Sequence, residues 1–225
     1  MDGLIYPDIF NENIKAFFTK KSVGVEIDKI TGGLSLKKEN IFFLIQKHTD
    51  KVLVLKADLE PQVADAVITK RKDILIGVQT ADCLPILLFD KGKSIVGAIH
   101  AGWRGTAAQI VKKTLKSMSK FFNSSAEDII VAIGPSIRWS CYEVGHEVKE
   151  AVCRATGEGT YYKKNGKRYY LDLTSANIVQ MGSLGIPEKN IWISDECTYC
   201  NPDKYYSYRY NKSYDGSQGG FIGIL

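Results

Sequence analysis

Apolar residues along this chain recur with two different periods. In the first half they form short runs broken by turn residues: 15–19, 41–46, 52–55, 74–78, 84–89 and 95–99. Runs of this length, rich in Val, Ile, Leu and Phe, read as strands, several of them buried on both faces. Thr31-Gly32-Gly33 marks a turn, and Asp90-Lys91-Gly92-Lys93 reads as the turn of a hairpin joining the last two runs. After His100 the period changes. Ala107, Ile110, Val111, Leu115, Met118 and Phe122 recur mostly at three- and four-residue steps with lysines opposite, which predicts an amphipathic helix with Thr106 as its N-cap.

Further on, the pattern predicts a strand at 129–133, a helix at 145–156 and a hairpin at 161–173 around Asn165-Gly166. A helix at 174–184, ended by Gly185-Ile186-Pro187, precedes a short strand at 191–194. Strands and helices mix without a regular βαβ alternation. The expected fold class is therefore α+β, mixed β-sheets packed with helices, rather than a doubly wound parallel sheet. No repeat, low-complexity segment or Pro/Ser-rich linker interrupts residues 1–225, which read as a single domain.

Composition narrows the class. The chain has 225 residues, 44% hydrophobic and 24% charged, as an ordinary globular protein has. Its longest strongly apolar stretch, 83–89, falls far short of the ~18–20 residues a membrane helix needs. The N-terminus lacks a basic start followed by an apolar segment, so no secretory signal and a cytoplasmic location are expected. The net charge of +5 is mild, and the nearest cluster, Lys112, Lys113, Lys116 and Lys120, reads as the solvated face of a helix rather than a nucleic-acid surface. Five cysteines (Cys83, Cys141, Cys153, Cys197 and Cys200) are an odd number for a disulfide framework and read as thiols, ligands or core residues.

Two of the three histidines end predicted strands: His48 closes Phe43-Leu-Ile-Gln-Lys-His, and His100 is followed by Ala101-Gly102-Trp103-Arg104-Gly105. Cys83 lies between them, just ahead of an apolar strand. One thiolate and two imidazoles make a three-ligand set with an open fourth position, the pattern of catalytic zinc rather than structural zinc. The plainer reading, polar strand ends and a core thiol, stays open on spacing alone. Cys197-Thr-Tyr-Cys200 is a lone CxxC, more simply read as local packing than as a redox or metal site. Gly102-Trp103-Arg104-Gly105-Thr106 joins a strand to a helix start and suits an anion, phosphate above all; a tight turn with Arg104 in solvent is the alternative. Asp82, beside Cys83, is a candidate proton-transfer group. His146 reads as a surface or capping residue.

The blocks Thr80-Ala-Asp-Cys-Leu-Pro-Ile-Leu, Ala98-Ile-His-Ala-Gly-Trp-Arg-Gly-Thr, Ile133-Gly-Pro-Ser-Ile and Cys141-Tyr-Glu-Val together resemble the YfiH-like family. That family was long labelled multicopper polyphenol oxidoreductase or laccase-domain protein and is associated with purine nucleoside phosphorylase activity. Gln46-Lys-His48, Ala64-Asp-Ala66, Leu171-Asp-Leu173, Cys197-Thr198 and Tyr206-Ser-Tyr-Arg209 extend the resemblance over roughly residues 41–225. It implies an α+β fold comparable to Cys/His hydrolases and a metal, zinc with copper possible, on His48, Cys83 and His100. It implies phosphorolysis of adenosine, inosine, guanosine and methylthioadenosine, with deamination of adenosine besides. Asp82, Cys83 and Arg104 are then the candidate catalytic residues, and Gln46, Arg104 and Thr106 the candidate substrate contacts. Expected partners are nucleosides and phosphate, with no nucleic acid or membrane, in a monomer or homodimer.

The chain departs from the family pattern where Lys21 and Ser217 stand at positions usually held by arginine. Lys20 or Lys21 would supply a point charge there but no bidentate fork. Three competing functions remain on the sequence. Copper-dependent phenol oxidation fits a His₂Cys set, yet three histidines are few for a multicopper cluster. A thiol hydrolase would use Cys83 as nucleophile and His100 as base. A non-enzymatic zinc-stabilised module would need a fourth ligand, for which only His146 and Cys141 offer themselves.

Overall fold

A computed structural model describes residues 3–10, 13–32, 34 and 36–225. Gly33, part of the expected turn, lies outside them. In chain order the structure contains β1 (Leu4–Ile5), β2 (Ile14–Thr19), α1 (Ile27–Thr31), β3 (Ile41–Phe43), β4 (Val52–Val54), β5 (Ala66–Thr69), β6 (Leu75–Thr80), β7 (Leu84–Asp90) and β8 (Ile95–Ala101). Then follow α2 (Trp103–Ala107), α3 (Ile110–Phe122), β9 (Ile129–Ile133), β10 (Glu143–Val144), α4 (His146–Thr156), β11 (Tyr162–Asn165) and β12 (Arg168–Leu171). The chain closes with α5 (Leu173–Gly182), β13 (Ile191–Ile193), α6 (Tyr208–Asn211) and β14 (Gln218–Ile224). Among the described residues no helix is long and apolar enough to cross a membrane.

Two mixed sheets face each other. One runs β1-β2-β14-β6-β3 and the other β13-β9-β7-β8-β5-β4. The pairs β3/β6, β4/β5 and β13/β9 are parallel and the remaining pairs antiparallel. The two-residue period of each strand sorts its side chains. Leu87, Phe89, Val96, Ala98, Ala132 and Val67 point into the space between the sheets, where they meet Phe18, Ile76, Val78 and Ile222. Their sequence neighbours Ile86, Leu88, Ile95, Ile99, Val131 and Ile68 point the other way, onto Ile110, Val111, Leu115 and Met118 of α3 and Met181 of α5. Strands buried on both faces read as unbroken apolar runs, which is why β7 and β8 stood out in the sequence. A small third sheet, β10-β12-β11, packs with α4 and α5 around Tyr161, Leu171 and Val152.

The α+β architecture with mixed sheets is the one the sequence predicts, and the hairpins β7/β8 and β11/β12 turn where expected. The short elements β1, α1, β10 and α6 were not expected, and three further details differ. Thr106 is not an N-cap: it lies within the short helix α2, and α3 begins only after Gln109, whose left-handed backbone (φ 59°) breaks the two helices apart. The strand expected at 41–46 ends at Phe43, where the chain turns away as a loop. Finally, β5 and the central β14 are strands the hydrophobic pattern did not single out.

Candidate functional site

The site forms where the chain passes from one sheet to the other. Beta-6 belongs to the first sheet and β7 to the second, so residues 81–83 bridge the gap between them. Asp82 adopts a positive φ of 88° in this turn, and Cys83 follows it. His100 occupies β8 directly opposite Pro85 of β7. His48 sits in the loop after β3, also with a positive φ, of 57°. The structure brings one donor atom from each of His48, Cys83 and His100 within 4.8 Å of the others. The two imidazole rings meet edge to face, centroids 4.8 Å apart.

A residue that was only part of a sequence block organises this cluster. Asp65, fully buried just ahead of β5, accepts the His100 Nδ1–H through Oδ1 at 2.8 Å. The same carboxylate accepts the backbone N–H of His48 (3.0 Å) and both the N–H (2.6 Å) and hydroxyl (2.7 Å) of Thr49. Burial opposes its ionisation, but the bonds from His100 and Thr49 outweigh this and hold it at about 2. The signal for Asp65 in the sequence was slight: one acid between two alanines before an apolar run. Gly102 completes the cluster. A Cβ there would come 2.9 Å from Cys83 Sγ and 3.3 Å from His48 Cδ2, so only glycine lets the backbone pass so close.

Electrostatics bind Cys83 and His100 into a pair. Burial works against charge on both, yet the facing thiolate, with the Asp65 carboxylate behind, raises His100 to about 9. The His100 and His48 rings in turn draw Cys83 down to about 6 despite its burial. A donor set of one thiolate and two imidazoles, with His100 Nδ1 taken by a carboxylate and its Nε2 left free, fits a thiophilic or borderline ion such as zinc or copper.

A cleft of about 650 Å³ opens over the three donors. Gln46, Gln79, Thr80, Asp82, Trp103, Arg104, Tyr142, Tyr208, Arg209, Tyr214 and Ser217 line it besides His48, Cys83 and His100. Arg104 is exposed, its guanidinium 4.4 Å from the centroid of the Trp103 ring. Gln46 reaches across to β6, donating to Gln79 O and accepting from Gln79 N, both at 2.8 Å. Asp82 accepts the Thr198 hydroxyl (2.6 Å) on one oxygen and the Arg209 N–H (2.7 Å) on the other. Arg209 donates to Glu143 O (2.7 Å) and lies over the Tyr142 ring. Thr106 does not face the cleft. It is fully buried, accepting from Asn177 Nδ2 (3.0 Å) and, at its carbonyl, from Gln180 Nε2 (3.0 Å), because two residues past Arg104 it points from the opposite side of α2.

Of the positions that depart from the family pattern, Ser217 lines the cleft, whereas Lys21 donates to Pro202 O and lies over the Tyr206 ring. His146 is exposed at the start of α4, 3.6 Å from Glu150, and joins neither cysteine nor histidine of the site. Cys141 belongs to a separate group with Cys197 and Cys200.

The fold and this cleft define an α+β protein with an open Cys/His₂ centre. Over residues 11–225 the chain matches the family described as multi-copper polyphenol oxidoreductase laccase, and it belongs to that family, the YfiH-like proteins. The purine nucleoside phosphorylase of Aquifex aeolicus (strain VF5) is 39% identical over 213 residues, 93% of this chain and 94% of that one. Adenosine deaminase RL5, from an unknown prokaryotic organism, is 35% identical over 177 residues, 73% of this chain and 67% of that one. Among solved structures, YlmD from Geobacillus stearothermophilus superposes with a TM-score of 0.92 at 25% identity, covering 99% of this chain and 96% of that one.

Proposed function

We propose that this protein is a metal-dependent purine nucleoside phosphorylase acting on adenosine, inosine, guanosine and methylthioadenosine, with adenosine deaminase activity in the same cleft. The observation that carries the reading is the open Cys/His₂ cluster at the base of a cleft that also holds the exposed guanidinium of Arg104 and the rings of Trp103, Tyr142 and Tyr208. The names of the relatives at 39% and 35% identity support it.

In phosphorolysis a phosphate oxygen attacks the anomeric carbon of the ribose. The bond from that carbon to the purine nitrogen breaks, its electron pair leaves with the base, and the base takes up a proton. Arg104 holds the phosphate dianion, its plane steadied by Trp103. The aromatic walls take the purine face. His48, Cys83 and His100 would hold zinc or copper, which when bound would supply Lewis-acid stabilisation to the substrate. Asp82, the candidate proton-transfer group, accepts one hydrogen bond on each oxygen, which fixes it beside Cys83 and the start of α6 and leaves a lone pair on each oxygen for a proton. Gln46 fastens the His48 loop to β6, and Thr106 anchors α2 beneath Arg104.

A second reading rests on the Cys83–His100 pair, in which a thiolate faces an imidazolium as in thiol hydrolases. Chromatography of adenosine incubated with metal-assayed protein, with and without phosphate, decides. Adenine formed only with phosphate supports phosphorolysis, and inosine supports deamination. Absence of both products with zinc bound overturns the proposal. Modification of Cys83 by an electrophile, indifferent to chelators, would then favour the thiol reading.

A further inference from the structure

The cysteines outside the cleft are not scattered. Cys141 ends the 136–140 loop, and Cys197 and Cys200 flank the turn Thr198-Tyr199. The two loops are bound together. Ser136 and Cys197 form a parallel bridge and Thr198 N–H donates to Ser136 O at 3.2 Å, while Asn201 Nδ2 donates to Cys197 O at 2.9 Å within the second loop. All three Sγ atoms lie within 4.8 Å of one another, and those of Cys141 and Cys200 are only 3.2 Å apart. The Arg138 N–H donates to Cys197 Sγ at 3.4 Å, the kind of bond that favours a sulfur bearing negative charge. Cys197 is buried, Cys141 half-buried and Cys200 exposed, so an ion could enter from solvent.

We propose that Cys141, Cys197 and Cys200 form a second metal centre, separate from the Cys/His₂ cluster, that takes a thiophilic d¹⁰ cation, zinc or cuprous copper. Three sulfurs converging on one point are a soft donor set, which suits these ions and excludes calcium and magnesium. Simple packing would not explain why three thiols from two separate loops share one point with a backbone N–H aimed at the most buried of them. The centre has a mechanical consequence. Thr198 lies within the CxxC turn, and its hydroxyl donates to Asp82, the neighbour of Cys83. A cation clamping the two loops would therefore stiffen the wall behind the Cys/His₂ cluster.

The test is metal stoichiometry in the full chain, reduced, stripped with chelator and reloaded anaerobically with zinc or with cuprous copper. Wild type should retain two equivalents of at least one of these ions, C83S one, C200S one and C83S/C200S none. In C83S, zinc should also protect thiols from a disulfide reagent and raise the thermal midpoint, although its cleft centre is disabled. Cys200 is exposed, so C200S should fold, and the C83S measurements leave the three thiols unaltered. Retention of neither ion by folded C83S overturns the proposal. So does a Cys141–Cys200 disulfide that forms in the reduced protein despite excess zinc. None of these readouts depends on nucleoside turnover.

Discussion

Asp65 accepts the Nδ1–H of His100 at 2.8 Å, with both side chains buried. The same carboxylate holds the backbone of His48 and Thr49, so one acid positions two of the three donors of the Cys/His₂ centre. Asp65→Asn keeps the size but loses the charge and part of the accepting capacity. The expected result is a 10–100-fold loss of metal affinity, the usual effect of removing a group that orients a ligating histidine. Chelator competition measures it, and an unchanged dissociation constant would show that Asp65 serves the fold alone.

Protons should leave when metal enters. In the metal-free protein His100 is raised to about 9 and Cys83 drawn down to about 6, so at pH 7.5 the imidazole carries its proton and the thiol does not. A metal needs a neutral imidazole and a thiolate. Uptake near pH 7.5 should release about one proton, from His100, and more as pH falls through about 6, where Cys83 too is protonated, so affinity should climb with pH and level off above about 9. Calorimetry in buffers of different ionisation enthalpy counts the protons; none released at pH 7.5 would overturn the assignment. Without metal, the raised His100 stabilises the fold fully below its ordinary value of 6.5 and loses that contribution as pH rises through about 9.

Gly102 has an ordinary φ of −70°, so alanine is permitted there by the backbone. The obstacle is space: the new methyl would press on Cys83 Sγ at 2.9 Å. Gly102→Ala is expected to weaken metal binding at least ~10-fold, about 1.4 kcal/mol, while circular dichroism stays that of the wild type. Equal metal affinity in the two proteins would mean that the sulfur can move aside without cost.

Arg104→Gln should raise the KM for phosphate about 10–100-fold, as expected for loss of a charge-assisted hydrogen bond of about 1.5–3 kcal/mol. Arg104→Lys should recover only part, because an ammonium keeps the charge but not the fork or the stack on Trp103. Phosphate-dependence of initial rates checks both variants. A KM unmoved in Arg104→Gln would transfer the phosphate contact to Arg209.

Much of the architecture was legible because its strands are buried on both faces. Beta-7 and β8 carry apolar residues at nearly every position, and α3 shows a clean helical stripe. Beta-14 was not legible. Its sequence Gln-Gly-Gly-Phe-Ile-Gly-Ile is weak by propensity, yet it lies between β2 and β6. The glycines are required by neighbours far away in sequence: a Cβ at Gly220 would sit 2.9 Å from the Phe18 ring, and one at Gly223 2.4 Å from Ile74 O. Such a strand is specified by its partners rather than by its own side chains. Thr106 shows the converse. Gly105 ahead of an apolar stripe looked like a helix start, but the left-handed Gln109 moved that start three residues on and buried the hydroxyl.

By itself the sequence determined the residue types of the site and the place of His100 near a strand end and of Cys83 just ahead of a strand, since each adjoins an apolar run, whereas His48 lies in a loop past the end of β3. It determined the α+β class, because hydrophobic periodicity is a local property. Only the tertiary structure decided that Asp65 holds two of the donors, that Asp82 is tied to Thr198 and Arg209, and that Cys141 meets Cys197 and Cys200. Those partners lie tens of residues or more apart along the chain. A hydrogen bond or shared sulfur cluster across such a gap depends on how two sheets are stacked and crossed, and leaves no period in the sequence to read.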